Sequence, residues 1–149
     1  MSLNRNLTKA VVTKHVLNAV AAGTTNQTSS AVDTLGAAAV RFIADIGTLT
    51  SSQVTKLKVQ ESSDDGATDA YADVTGSETA AMADADSNKL LIVDIYKPQK
   101  RWIRPVVNRA TANAVITAAW VELYLPDFQP VATVDSVNIS QYKTLDNPA

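Results

Sequence analysis

The stretch VITAAWVELY, Val115 to Tyr124, alternates Val115, Thr117, Ala119, Val121 and Leu123 with Ile116, Ala118, Trp120, Glu122 and Tyr124. A period of two, rich in Val, Ile, Trp and Tyr, is the signature of a β-strand with two different faces. The same period recurs upstream. Val40, Phe42, Ala44 and Ile46 alternate with Arg41, Ile43 and Asp45, and Leu57 and Val59 sit between Lys56, Lys58 and Gln60. Leu90 to Tyr96 is a near-continuous apolar run interrupted by Asp94, and Ile103, Pro105 and Val107 are set against Trp102, Arg104 and Asn108.

The punctuation between these runs predicts turns. Gly47 is expected to end the first, Asp64-Asp65-Gly66 to turn the chain after the second, Gly76 to mark another turn, and Pro98 to break the chain before Trp102. Pro105 cannot donate to a ladder and predicts an edge or a bulge. Ala10 to Val20 fits a strand or a helix, Gly23 to Ser30 reads as loop, and Ala-rich Glu78 to Asp86 mainly as loop.

Short strands at this spacing predict an all-β fold: an antiparallel β-sandwich, jelly-roll-like, with extended N- and C-terminal arms. The expected division is 1–34 as N-terminal arm and first strand, 35–126 as sandwich core including part of 10–20, and 127–149 as an extended C-terminal tail. That tail offers only isolated Val134, Val137, Ile139, Tyr142 and Leu145 and cannot build a core of its own, so it is either disordered or laid along a neighbour.

Composition narrows the function. The chain has 149 residues, 46% of them hydrophobic but only 5% aromatic, so its core is made largely of small side chains. Each buries little area, at roughly 25 cal/mol per Å², and association is expected to supply part of the missing burial. The absence of cysteine excludes disulfides, thiolate metal sites and Cys nucleophiles. No apolar stretch follows Arg5 and Lys9 as a signal peptide requires, and none approaches the roughly 20 residues that span a bilayer. A soluble protein made in a cytoplasm is expected, without a membrane role.

Net charge is −2, yet the charges are segregated. Arg5, Lys9 and Lys14 precede any acid. Gln60 to Asp94 holds Glu61, Asp64, Asp65, Asp69, Asp73, Glu78, Asp84, Asp86 and Asp94 against Lys89 alone, and Lys97 to Arg109 holds Lys97, Lys100, Arg101, Arg104 and Arg109 with no acid. This predicts oriented docking or head-to-tail self-contact; solvated strand faces and loops are the plainer alternative.

Catalytic constellations lack members. His15 is the sole histidine and has no nucleophile motif around it. Asp64, Asp65, Asp69 and Asp73 surround Gly66 and are the carboxylates a calcium ion would use, but their order departs from the EF-hand loop. A polar hairpin tip is the plainer reading, and neither metal nor cofactor is expected. Glu61 with Asp73 as a glycosidase pair would lack an aromatic sugar platform beyond Tyr71. Trp102 among cations could stack a nucleic-acid base, yet a packed Trp bordered by interface cations is the simpler reading. No phosphate-binding glycine loop is present. The expectation is a protein that is not an enzyme and has no direct nucleic-acid role.

The runs VTKLKVQESSDDGATDAYADVTG (Val54 to Gly76) and NKLLIVDIYKPQKRWIRPVVNRATANAVI (Asn88 to Ile116) resemble small proteins encoded near the major capsid gene of tailed bacteriophages. The opening NRNLTKAVVTKHVLNAVAAGTTNQTSSAVDT (Asn4 to Thr34) is similar in character. The resemblance implies a capsid decoration (cement) protein on the capsid exterior, commonly a homotrimer, whose partner is the major capsid protein. It carries no motif tied to a defined contact. The contact residues expected from charge and the polar tails are Arg5, Lys9, Lys14, Phe128, Tyr142 and Leu145, with the strand bearing Arg101, Arg104 and Arg109 as an alternative. A neck, tail or head-fibre component, and a carbohydrate-binding module using Trp102, Trp120 and Tyr124, are the competing functions.

Overall fold

The computed structural model describes residues 7–127, and they form two packed antiparallel sheets. After a 3₁₀ turn at Leu7–Lys9 come strands β1 (Val12–Leu17), β2 (Val20–Gly23), β3 (Gln27–Thr28), β4 (Val32–Asp33), β5 (Ala37–Leu49) and β6 (Val54–Ser62). These are followed by β7 (Ala72–Asp73), a 3₁₀ turn at Asp84–Asp86, β8 (Leu90–Tyr96), β9 (Trp102–Ala110) and β10 (Ala114–Pro126). Sheet I runs β1-β10-β5-β8, with β2 continuing β1 along β10; sheet II runs β3-β9-β6-β7, with β4 continuing β3 along β9. Counting each continued pair as one strand, the orders are 1-8-3-6 and 2-7-4-5. That is a double Greek-key jelly roll.

The ambiguous Ala10 to Val20 segment is a strand because β10 offers it an edge, with Val12 opposite Leu123 and His15 opposite Trp120. The expected Gly23 to Ser30 loop contains β3. Residues 12–33 thus enter both sheets, and the sandwich begins well before residue 35.

The core lies between the sheets: Val40, Phe42, Ala44 and Ile46 from β5, Leu57 and Val59 from β6, Ile103 and Val107 from β9, and Ile116 and Val121 from β10. Two irregularities shape it. Pairs run Ala114↔Leu49, then Ile116↔Ile46, then Ala118↔Asp45, so β5 carries one extra residue at Gly47-Thr48 and β10 carries one at Thr117. Gly47 therefore lies inside a strand and does not end it. A Cβ there would stand 3.0 Å from Val115 Cγ1, so only glycine fits without displacement. The bulge also flips β10: Ala114 and Ile116 face inward before it, Ala119, Val121 and Leu123 after it.

Pro105 sits in a central strand, on the flank where the neighbour is broken between β3 and β4. Ser29 answers it, sending both its amide (3.2 Å) and its hydroxyl (3.0 Å) to the Pro105 carbonyl. The expected turns at Asp64-Asp65-Gly66 and Gly76 are present, with Asp65, Gly66 and Gly76 at positive φ.

Candidate interface surfaces

On sheet II the acidic segment meets bases from neighbouring strands and turns. Strands β6 and β9 are neighbours, and the 62–79 segment folds along them, so acids that are distant in sequence face bases. Lys56 pairs with Glu78 and Lys58 with Asp73, each at 2.8 Å, and Lys100 pairs with Asp69 at 2.8 Å. Arg101 makes a two-nitrogen fork to Asp33 at 2.8 and 2.7 Å. Arg104 binds Gln60 Oε1 through two nitrogens and lies 3.9 Å from the Tyr71 ring centroid. The linear segregation therefore does not persist as separate poles, because topology neutralises much of it internally.

Arg109, expected at an interface, is buried at 3% exposure. Its guanidinium donates to the carbonyls of Thr25, Ala21 and Ala114 at 2.9, 2.9 and 2.6 Å, and its backbone amide donates to Asn26 Oδ1 at 3.0 Å. Burial pulls its pKa below the ordinary guanidinium value. It is an internal clasp and reaches no outside partner. Arg5, Phe128, Tyr142 and Leu145 lie outside the described residues; Lys9 ends the first 3₁₀ turn and Lys14 is half-buried on β1.

The four calcium candidates do not converge. Asp64 caps its own turn, accepting from the Thr68 amide and hydroxyl, the Asp69 amide and the Ser62 hydroxyl. Those bonds, the Thr68 hydroxyl foremost, hold its carboxyl down at about 2. Asp65 accepts from the Tyr71 hydroxyl at 2.5 Å, Asp69 from Ser63 and Lys100, and Asp73 from Lys58 and Gln60. Each carboxylate is consumed by a protein donor. Among the described residues no group of three acids or histidines is arranged to hold a metal. Glu61 is likewise turned to the Lys100 amide at 3.3 Å.

The outer face of sheet I is different. Cross-strand registers place His15, Trp120, Ile43 and Ile92 in one row and Tyr124, Ala39 and Tyr96 in the next but one. Between them runs a polar row of Thr13, Glu122, Arg41 and Asp94, in which Arg41 is ion-paired to Glu122. Asp94 accepts from the Tyr124 hydroxyl at 2.6 Å, a bond that holds the phenol above its usual pKa. Residues Leu7 and Val11 arch over this row and leave a hollow of about 260 Å³. Ile43 and Ala39 are buried although they face away from the core. Toward β8 the cover ends: Leu90, Ile92 and Tyr96 are 50%, 46% and 62% exposed.

An antiparallel sheet usually has one solvated face; the outer face of sheet I instead carries apolar rows on either side of its polar one. Trp120 and Tyr124 point outward and are half-buried, which settles the face that alternation alone left open. His15 shares their face with Trp120 opposite it. Leu90, Ile92 and Tyr96 were not singled out by sequence, since a near-continuous apolar run also describes a strand covered on both sides. Among the described residues no helix is long and apolar enough to cross a membrane. No protein-family model matches the chain, and no curated protein is detectably similar to it.

Proposed function

We propose that this chain is a non-catalytic virion structural protein that decorates and cements a phage capsid, acting as a homotrimer on the major capsid protein at the capsid exterior. The observation that carries the reading is the outward apolar surface of sheet I, ending in Leu90, Ile92 and Tyr96. Large apolar side chains left exposed together on one strand of a small protein mark a contact surface, and the resemblance of Val54 to Gly76 and Asn88 to Ile116 to phage head proteins names the partner class. A ligand that binds the assembled lattice and not its separated subunits stabilises the lattice by mass action. The basic N-terminal residues Arg5, Lys9 and Lys14 and the C-terminal Phe128, Tyr142 and Leu145 are the further grips in this reading.

The test is electron microscopy of tailed-phage particles made with and without this chain. Added density clustered at three-fold or quasi-three-fold positions is expected, and a Leu90→Lys, Ile92→Lys double variant should lose at least tenfold in occupancy while melting as wild type. Identical shells would sink the reading, and density at the neck, tail or a head fibre would move the protein there. The outward Trp120, Tyr124 and Tyr96 also suit a carbohydrate-binding face. A glycan array without hits would dispose of that second function.

A further inference from the structure

The described residues present several sheet edges, and those of β1, β3, β4, β6 and β7 are protected. β3, β4 and β7 are two residues long, too short to template a partner. β1 carries a bulge between His15 and Leu17 and the charge of Lys14. The free side of β6 is covered by the 74–82 segment. Val74, Thr79 and Met82 donate to its carbonyls, while the Ser77 and Thr79 hydroxyls accept from the Val59 and Leu57 amides. Short length, charge, bulges and covering segments are the ordinary devices that blunt an edge.

β8 has only one of them, a single charge. It is seven residues long and pairs with β5 in unbroken register from Asp45↔Leu90 to Ala39↔Tyr96. Nothing described pairs its other side. Its one charge, Asp94, is engaged by Tyr124. Along this side runs a groove of about 470 Å³ between Val74–Thr79 and Ile92–Tyr96. A second hollow of about 250 Å³ shares Val74 and Ile95 with it and extends to Pro98. An added strand would bond to the β8 backbone, set alternate side chains over Val74 and Ile95, and lay the others beside Ile92 and Tyr96.

We infer that the occupant of the β8 edge is the C-terminal segment, residues 128–149, of a neighbouring copy of this chain. Within it VATVDSVNIS (Val131 to Ser140) has β-forming residues on both parities, Val131, Val137 and Ile139 against Val134, with Asp135 the single charge. At about 3.3 Å per residue the 22 residues reach about 70 Å, well past the length of a 13-residue strand. The neighbour's segment is favoured over the chain's own by direction. β10 and β8 both run antiparallel to β5, so the chain leaves β10 at the Tyr96 end of the sheet, with β5 and β8 between it and its own groove. Entering that groove would need a reversal within Pro126 to Pro130, where Pro130 biases Gln129 toward extended backbone. The inference rests on the homo-oligomeric part of the proposed function and not on the capsid.

The chain has no cysteine, so cross-linking is clean. Full-length chains carrying Ile92→Cys are mixed with full-length chains carrying Val134→Cys, Val137→Cys or Ile139→Cys and oxidised mildly; facing residues of adjacent strands lie within disulfide range. A linked heterodimer forming at least tenfold faster than with Thr13→Cys on β1 is expected at one tail position. A Val137→Asp, Ile139→Asp variant of the full chain should exchange its β8 amides at least tenfold faster than wild type, with β5 unchanged. No heterodimer above the Thr13→Cys control, or unaltered β8 exchange, overturns the inference. So does a chain bearing both cysteines that closes only within itself. Particle occupancy is scored separately: bare shells with the heterodimer intact sink the capsid reading and leave this one standing, and decorated shells without the heterodimer overturn this one alone.

Discussion

The Arg109 guanidinium donates at 2.9 Å to the carbonyl of Ala21, 88 positions earlier in the chain. With Thr25 and Ala114 also bound, one side chain joins the crossing between the sheets to the β9–β10 hairpin. Removing it takes the donor from the buried Ala114 carbonyl and from the part-buried Ala21 and Thr25 carbonyls. Arg109→Met is expected to lower stability by about 3 kcal/mol in denaturant titration. Arg109→Lys should recover little, since an ammonium lacks the planar fork. A loss under about 0.5 kcal/mol would show that the clasp is idle.

Gly47 is held to glycine by Val115. Gly47→Ala should cost about 1–2 kcal/mol through overpacking. Val115→Ala removes the Cγ1 that stands 3.0 Å from the new Cβ, and the double variant should lose less than the sum. Strict additivity in thermal melts would show that the crowding is relieved elsewhere.

Acid should unfold the protein before mild base does. Asp33, Asp64, Asp69, Asp73 and Glu78 all have carboxyls held below their ordinary values by hydrogen bonds. Unfolded, they titrate near 4. Their contribution is complete above that value and is lost as pH falls through the folded values, since the unfolded chain then binds more protons. Tyr71 and Tyr124 are shifted up, so their effect is lost only above about pH 10. The melting temperature should be level from about pH 6 to 9 and fall steeply below about pH 4. Asp64→Asn should flatten part of the acid limb.

Among the described residues Phe42 is the one aromatic side chain in the buried core. Its register partners are the branched, stiff Val121 and Val93, so truncation leaves a cavity that they cannot fill. Phe42→Ala is expected to cost about 4 kcal/mol, and Phe42→Leu well under half of that. Equal losses in equilibrium unfolding would mean that ring volume is not what this position supplies.

The alternation in Val40 to Ile46 and Leu57 to Gln60 is local and was legible, because burial of one face imposes it residue by residue. Val115 to Tyr124 was legible as a strand but not in its facing: Thr117 looks ordinary, and only its pairing with β5 makes it the extra residue that flips the face. Charge misled for the same reason. Lys100 and Asp69 belong to opposite blocks in sequence, yet the topology brings them within 2.8 Å. Arg109 reads as a surface cation until its three carbonyl partners are placed. Leu90, Ile92 and Tyr96 escaped notice because whether an apolar strand is central or at an edge depends on what lies beside it.

The chain enters the jelly roll at Val12, the register partner of Leu123, and leaves it three residues beyond Leu123 at Pro126. Entry and exit thus share one pole. A permutant whose ends are joined there by a short linker, and whose backbone is opened between Asp65 and Gly66, should keep every ladder of both sheets. Such a molecule would carry its new ends at the hairpin tip of sheet II and leave the original pole free for grafted cargo.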